Sequence, residues 1–474
     1  MVYGIGQILP RILHLAVFTT YLTNQLTDKS EYAAYLDLYA YTAVIIVLFS
    51  YRMDTALFRF GKRSTDLPQV YGTALFPIFL SSAALLGLGF MYAQELATWL
   101  TYPDKPQYVQ WFSAIIAFDI INLIPFAKLR IEGRAKLFVA YKLINVTLTI
   151  VLVLLFLESS LLDGLKLLFP RADDDISFVF IANLIASGVI FLLLIVFHFP
   201  KSVTIDYQLW RKMAWYGAPL IVVGVAANIN QYFAVPLQKY FLGTEIVANK
   251  DQAAVYGAVQ KIAGLLALFT TAFNYAAEPF FFKNSDRQDA KELYGQIALY
   301  FVIAAGLVSV GLYGLLDIFQ LIIGDQYRDN LFLIPILLMS YLFLGLYYNV
   351  SIWYKLSDQT YYGALISTIG AVITLSGSVI LLPYYGVSAS AWISLTCYAT
   401  MVILGWFLGR IHYPIQYPVM RIIAYILFTA ITLISIWISH QYLEWTLVSG
   451  FFIICIFILI IWRLEMRQLK ELLQ

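Results

Sequence analysis

Long apolar runs, each about the length of a membrane-spanning helix, follow one another along almost the whole chain of 474 residues. A helix needs about 20 mostly apolar residues to cross a lipid bilayer. Prolines and charged clusters interrupt the runs, for example between Pro103 and Pro106 and between Arg171 and Asp175. The pattern predicts about fourteen spans, at 3–22, 35–58, 70–98, 107–130, 137–158, 176–198, 213–240, 253–280, 292–322, 331–356, 361–383, 388–411, 419–438 and 444–463.

The segments between these runs are short, which limits what the chain can hold outside the membrane. The longest predicted external loop, about 159–175, is too short for a separate soluble domain. We therefore expect an all-α polytopic membrane protein without an appended catalytic domain. Its predicted organisation is an N-terminal lobe of six spans (1–200), a C-terminal lobe of six spans (213–411), and two extra helices with a cytoplasmic tail (419–474).

The composition agrees with a membrane chain and excludes several other classes. Hydrophobic residues make up 61% of the sequence and charged residues only 12%, whereas soluble domains carry about 25% charged residues. The formal net charge of +2 gives no reason to expect a nucleic-acid partner. The two cysteines, Cys397 and Cys455, both lie inside apolar runs, so neither a disulfide scaffold nor a cysteine metal site is expected.

The positions of the basic residues predict the orientation in the membrane. When the N-terminus is placed in the cytoplasm, nineteen of the 30 lysines and arginines fall at cytoplasmic loops or helix ends, and seven fall at external ones. Membrane proteins concentrate basic residues in their cytoplasmic loops. The excess continues to the last predicted span, so we expect both termini to lie in the cytoplasm.

A weak internal repeat relates the two predicted lobes. Glu31–Arg63 aligns without a gap on Asp251–Lys283, with seven of 33 positions identical. Lys128-Leu129 aligns on Lys355-Leu356 at a similar offset. Many transporters are built from duplicated halves, and their substrate path lies between the halves. The repeat therefore favours a transport function.

Charged side chains inside the apolar spans are the first candidate chemistry, because an ionisable group within a membrane is costly and usually functional. Arg11 and His14 share a polar and aromatic face of the first span with Gln7, while Arg52 lies in the second span and Lys261 in the eighth. Guanidinium and ammonium groups suit a phosphate or pyrophosphate. We predict a cationic substrate site formed by Arg11, His14, Arg52 and Lys261, with the last two flanking one cavity from opposite halves.

Structural roles are the alternatives for these residues. Arg52 and Lys261 could extend to the nearer membrane interface, and Arg11 could pair with Asp54 or another acid. Asp54 and Asp119 are candidate coupling or ion-pair acids, because an ion-coupled pump needs a titrating or coordinating carboxylate. For Asp119, hydrogen bonding to neighbouring helices is the competing interpretation.

The sequence offers little that points to catalysis. It contains no Walker loop for nucleotide phosphates. Its four histidines are scattered and lack the spacing of metal ligands. We therefore expect that the protein is not an enzyme, and that it has no catalytic residue, no cofactor and no bound metal.

Four segments carry a family resemblance: an early Gly4-x-Gly6 helix, Ala127–Ala135 before the fifth span, Trp215–Leu220 at the start of the seventh, and Tyr256–Ile262 in the eighth. Together with the number of spans, they resemble the polysaccharide-transporter family. Its members are the Wzx-like O-antigen or repeat-unit flippases of the multidrug/oligosaccharidyl-lipid/polysaccharide exporter superfamily. One departure is Gln238-Lys239, because family members often carry an Asp-Arg pair near the outer end of the seventh helix.

The resemblance implies a flippase with two six-helix lobes that works by alternating access. The implied cargo is a polyprenyl-pyrophosphate-linked oligosaccharide, moved across the bacterial inner membrane for O-antigen, capsule or exopolysaccharide synthesis. The implied partners are this lipid-linked oligosaccharide, membrane lipids and the polysaccharide polymerase machinery.

Three other functions stay open at this point. A lipid II-type flippase has a similar anionic cargo, and sequence alone separates it poorly from the first interpretation. An ion-coupled multidrug exporter shares the fold, but its cavity would favour acids because its cargo is often cationic. A membrane polysaccharide polymerase or ligase would be expected to carry one long periplasmic loop with basic residues, which the predicted topology lacks.

Overall fold

A computed structural model describes residues 2–26, 28–61, 66–158, 174–199, 204–442 and 446–473. These residues are almost entirely helical, and no strand occurs among them. Thirteen of the described helices are long and apolar enough to cross a membrane. The predicted fold class, an all-α polytopic membrane protein, is confirmed. Most of the predicted loop 159–175 lies outside the described residues, as do Lys62 and Arg63 at the end of the first repeat copy.

The helices follow the predicted spans closely. The helices before residue 242 are α1 (Val2–Leu13), continued by a π-helical segment (His14–Thr19), α2 (Thr20–Gln25), α3 (Lys29–Ser50), α4 (Met53–Gly61), α5 (Leu67–Met91), α6 (Ala93–Trp99), α7 (Pro106–Ile131), α8 (Ala135–Glu158), α9 (Asp175–His198), α10 (Tyr207–Tyr232) and α11 (Ala234–Phe241). The later helices are α12 (Ile246–Lys283), α13 (Ala290–Gly314), α14 (Leu316–Phe319), α15 (Ile334–Val350), α16 (Ile352–Leu356), α17 (Tyr361–Tyr385), α18 (Val387–His412), α19 (Val419–Tyr442) and α20 (Thr446–Leu473).

Aspartate caps fix where several of these helices begin. The side chain of Asp28 accepts a hydrogen bond from the backbone N–H of Ser30 at the start of α3. Asp66, Asp174 and Asp206 do the same at the starts of α5, α9 and α10. Such caps satisfy backbone donors that the first helical turn leaves without a partner.

The chain divides into two compact units. The first comprises Met1–Tyr240 with Thr244–Asp251, and the second comprises Phe241–Gly243 with Gln252–Gln474. This division differs from the predicted lobes, because the seventh span was placed in the lobe that begins at 213. Helix α10, which forms most of that span, packs against α3, α4 and α5 of the first unit. Two of its glycines allow that close packing, as described below.

The two copies of the repeat differ in backbone conformation. In the first copy the helix is interrupted between α3 and α4, where Tyr51 and Arg52 have positive φ angles of 50° and 55°. In the second copy α12 is a single helix of 38 residues. The repeat therefore carries a discontinuous helix in one unit and a continuous helix in the other.

The two C-terminal helices pack onto α13 within the second unit. Phe428 of α19 stacks on Phe457 of α20 with ring centroids 4.7 Å apart, and Arg421 pairs with Glu465 at 2.8 Å. Gly450 of α20 approaches Gly314 of α13 so closely that the Gly314 carbonyl occupies the space of a Cβ atom. Small residues permit such backbone approach in membrane helices.

Replacing Gly450 with leucine should therefore push α20 away from α13. We expect a loss of about 1–3 kcal/mol in the free energy of unfolding, the usual effect of inserting atoms into a packed interior. Thermal unfolding in detergent would measure it. Gly311→Ala on α13 is the control, because a Cβ at Gly311 meets nothing within 4 Å. Equal stability of the two variants would contradict the packing described.

Candidate functional site

The break between α3 and α4 is the centre of the candidate site in the first unit. Left-handed backbone at a residue other than glycine costs on the order of 1–3 kcal/mol, and such strain often accompanies function. Two side chains support the carbonyls that precede the break. Ser81 Oγ donates a hydrogen bond to the Phe49 carbonyl at 3.1 Å, and Asn228 Nδ2 donates one to the Ala43 carbonyl at 2.6 Å. Hydrogen bonds from α5 and α10 thus stabilise the end of α3 that precedes the interruption.

Arg52, at the break, carries a positive charge that no acid among the described residues neutralises. Its Nε is buried and has no hydrogen-bond partner, and the guanidinium forms no ion pair with any residue that the structure describes. Asp54, two residues further along, instead lies 3.9 Å from the Arg130 guanidinium (Oδ2 to Nη2). A guanidinium has five N–H donors and binds carboxylate or phosphate oxygens well. The Arg52 side chain can therefore accept an anionic ligand.

Arg11 and His14 lie in the first helix but differ in their surroundings. The Arg11 side chain is exposed, and among the described residues it makes neither a hydrogen bond nor an ion pair. Asp54 pairs with Arg130, so the alternative of an Arg11–Asp54 pair is not what the structure contains. His14 Nε2 lies 2.9 Å from the Tyr35 hydroxyl, and its ring stacks on Phe18 at 4.6 Å. His14 is thus held against α3, and the side chain of Gln7 lies outside the described part.

Lys261 is the corresponding cation of the second unit. It lies on α12 and is partly buried, and across the described ranges its ammonium group has neither a hydrogen-bond partner nor an acid. Lys355 in the same unit differs, because its Nζ lies 3.1 Å from Glu278 Oε1. Like Arg11 and Arg52, Lys261 therefore has no counter-charge in the described part of the chain.

Asp119 belongs to a hydrogen-bonded group inside the first unit. Ser187 Oγ of α9 donates a hydrogen bond to Asp119 Oδ1 at 2.9 Å, and Asn183 of the same helix donates one to the Tyr39 hydroxyl. Lys142 lies near enough for its charge to act on Asp119, while its Nζ sits over the Phe126 ring at 4.4 Å. The interhelical hydrogen bond expected as the alternative for Asp119 is present.

The first unit also contains a buried ion pair that was not predicted from the sequence. Lys239 Nζ lies 2.6 Å from Asp37 Oδ2, and each side chain is only 1% exposed. The Tyr102 hydroxyl donates a second hydrogen bond to Asp37 at 3.1 Å, and Lys239 also donates to the Leu100 carbonyl at 3.0 Å. Lys239 is predicted from the sequence to lie near the outer end of the seventh span, and Asp37 lies inside the second predicted span. The available signal was an acid within an apolar run, because such a group must find a partner.

Solved structures of other membrane proteins have a similar fold. No protein-family model matches the chain, and no curated protein matches it. A solved structure of the lipid II flippase MurJ, in an inward closed conformation, matches with a TM-score of 0.72 at 15% identity, covering 98% of this chain and 99% of that chain. The protein has the MurJ fold.

Multidrug transporters share this fold. An inward-facing MATE family transporter of the MOP superfamily matches with a TM-score of 0.62 at 14% identity, over 89% of this chain and 98% of that one. A MATE in complex with MaD3S matches with a TM-score of 0.57 at 14% identity, over 90% and 94%. The expected superfamily fold is therefore confirmed, and membership of the polysaccharide-transporter family stays a prediction.

Proposed function

We propose that this protein is a flippase for an anionic lipid-linked oligosaccharide, with a polyprenyl pyrophosphate as the lipid carrier. The observation that carries the proposal is the Arg52 guanidinium, which sits at a broken helix without an acid among the described residues. An unbalanced charge within a membrane span is costly unless it meets a counter-charge. A pyrophosphate supplies that counter-charge when the cargo is bound.

The distribution of acids supports an anionic cargo. Several cations of both units already have carboxylate partners: Lys239 with Asp37, Arg130 with Asp54, Lys355 with Glu278, and Arg421 with Glu465. Arg11, Arg52 and Lys261 have none among the residues described. Because these three were predicted from sequence as substrate-binding residues, we assign them to the pyrophosphate. His14 is assigned to holding the first helix against α3 through its contact with Tyr35.

The kind of carrier is suggested by the structural relatives. MurJ is by name a flippase for lipid II, and the MATE structures are by name multidrug transporters. A lipid-linked cargo agrees with the name of the first relative. Arg11, Arg52 and Lys261, which have no acid among the described residues, argue against a cationic drug. We therefore favour the lipid-linked cargo over the multidrug alternative.

Energy coupling and cellular role complete the proposal. Asp119 is assigned as the acid that couples transport to an ion, and Asp54 is assigned to its pair with Arg130. We place the protein in a bacterial inner membrane with both termini in the cytoplasm, as the basic residues predict. There it would supply repeat units to a polysaccharide polymerase for O-antigen, capsule or exopolysaccharide.

A deletion strain tests this function. We expect lipid-linked repeat units to accumulate on the cytoplasmic side of the membrane, and cell-surface polysaccharide to be lost. Restoring the wild-type chain should reverse both effects. Loss of peptidoglycan precursor transport instead would favour a lipid II flippase, and altered resistance to cationic drugs with normal polysaccharide would favour the multidrug function.

A further inference from the structure

We infer that Gly224 is a positioning residue, which leaves open the space that the Arg52 guanidinium occupies and so sets the direction in which it meets the pyrophosphate. This inference rests on the proposed function, because it concerns the same cation. A Cβ atom at Gly224 would lie 2.5 Å from Arg52 Nη2 and 3.1 Å from its Cζ. It would also lie 2.9 Å from Val47 Cγ1. Any side chain at this position would have to displace the guanidinium.

A second glycine on the same face of α10 allows this helix to pack closely against the break between α3 and α4. Gly217 precedes Gly224 by seven residues, which is about two helical turns and therefore the same side of the helix. A Cβ at Gly217 would lie 2.5 Å from the Tyr51 carbonyl oxygen. Helix α10 therefore packs against the interrupted backbone at Gly217 and against the Arg52 side chain at Gly224.

The two glycines should respond differently to substitution. The obstacle at Gly217 is backbone, so an added methyl group there must shift the main chain of the break. The nearest obstacle at Gly224 is the far end of the flexible Arg52 side chain, which can rotate away, while the stiff β-branched Val47, with Cγ1 at 2.9 Å, requires a small local shift. Gly224→Ala should therefore alter the position of the guanidinium while leaving the fold intact.

The direction of the guanidinium matters because of how it recognises anions. Arginine binds phosphate through a planar fork of parallel N–H groups, and the geometry of that fork gives both strength and specificity. The backbone of Arg52 is fixed in the left-handed region at φ 55°, so the side chain starts from a defined point. Displacing its far end by about 1 Å is enough to disturb such a contact.

The test uses the purified full-length protein in detergent, with farnesyl pyrophosphate as a soluble probe and binding followed by titration calorimetry. We expect Gly224→Ala to weaken binding about tenfold, the effect of losing roughly one charge-assisted hydrogen bond. Its melting temperature should match that of the wild type. Gly87→Ala is the matched control in the same unit, because a Cβ there meets nothing within 4 Å.

A double-mutant comparison separates positioning from a general structural effect. In an Arg52→Ala background, Gly224→Ala should cause no further loss, because the group it displaces is gone. An Arg52→Lys background should also reduce the effect, since lysine has no Nη2 or Cζ to be displaced. Equal losses in all three backgrounds would overturn the inference.

The remaining outcomes distinguish this inference from the function on which it rests. Wild-type-like binding by Gly224→Ala, together with weak binding by Arg52→Ala, would overturn the positioning role and leave the proposed function standing. Failure of the wild type to bind the probe, together with undiminished polysaccharide export by Arg52→Ala cells, would overturn the proposed function itself.

Discussion

Replacing Lys239 with methionine is expected to lower the free energy of unfolding by about 3–5 kcal/mol, the usual effect of removing one partner of a buried ion pair. The substitution keeps a long side chain but leaves the Asp37 carboxylate buried, and among the described residues the Tyr102 hydroxyl is then its remaining hydrogen-bond donor. Rings surround the site, since Lys239 Nζ lies 4.5 Å from the Tyr240 ring centroid and 5.3 Å from that of Tyr102. Aromatic faces are negative, so they stabilise the ammonium and not the carboxylate.

The reverse substitution should therefore be milder. Asp37→Ala leaves Lys239 with the Leu100 carbonyl at 3.0 Å and with the same aromatic faces. The double variant Asp37→Leu with Lys239→Met should recover much of the lost stability, because apolar replacements of a buried pair are often tolerated. Unfolding in mixed detergent micelles, followed by circular dichroism, would rank the three variants.

An exposed ion pair provides the control for this series. Arg287 and Asp289 lie 2.6 Å apart, and both side chains are more than half exposed. Exposed pairs contribute little to stability, so Asp289→Asn should leave the unfolding curve unchanged. If Lys239→Met proved no worse than Asp289→Asn, the Asp37–Lys239 pair would not be the buried, stabilising contact described.

Neutralising all three proposed pyrophosphate contacts should reduce translocation of the lipid-linked oligosaccharide at least about a hundredfold. The variant is Arg11→Gln, Arg52→Gln and Lys261→Gln in one chain. A hydrogen bond to a charged group contributes about 1.5–3 kcal/mol, so the combined loss exceeds what one substitution would cause. Translocation would be measured in vesicles by the exposure of a labelled cargo to an enzyme added outside.

A matched triple variant controls for the general loss of positive charge. Arg211, Lys283 and Arg410 are exposed residues at or near helix ends, and they provide the same count of two arginines and one lysine. Their replacement by glutamine should leave translocation within about twofold of the wild type, since rim charges act weakly. Equal translocation by both triple variants would exclude the proposed anion contacts.

The positions of the spans could be read from the sequence, but the interruptions within them could not. Each span requires only a long apolar run, which is a local property that composition reveals. The break at Tyr51–Arg52 contains neither glycine nor proline, the residues that usually mark an interruption. What permits it is α10, whose Gly217 lies 166 positions along the chain from Tyr51.

The residues of the candidate site could also be predicted from the sequence, but their partners could not. Arg11, Arg52 and Lys261 can be identified from the sequence alone, because they are charged residues within apolar segments. Whether an acid neutralises them depends on contacts between distant segments. Asp37 and Lys239 are 202 positions apart, and Asp54 proved to pair with Arg130 and not with Arg11.

The length of the unbroken helix α12 has a consequence for the depth of Lys261. Its 38 residues extend about 57 Å at 1.5 Å per residue, and even a tilt of 40° leaves a height of about 44 Å. The hydrocarbon core is only about 30 Å thick, so α12 must project into a headgroup layer or beyond. Lys261 lies about 33 Å along the axis from Lys283. If Lys283 marks the cytoplasmic headgroups, this separation gives a height of about 25 Å at the same 40° tilt and about 33 Å without tilt, so Lys261 lies close to the outer edge of the hydrocarbon core.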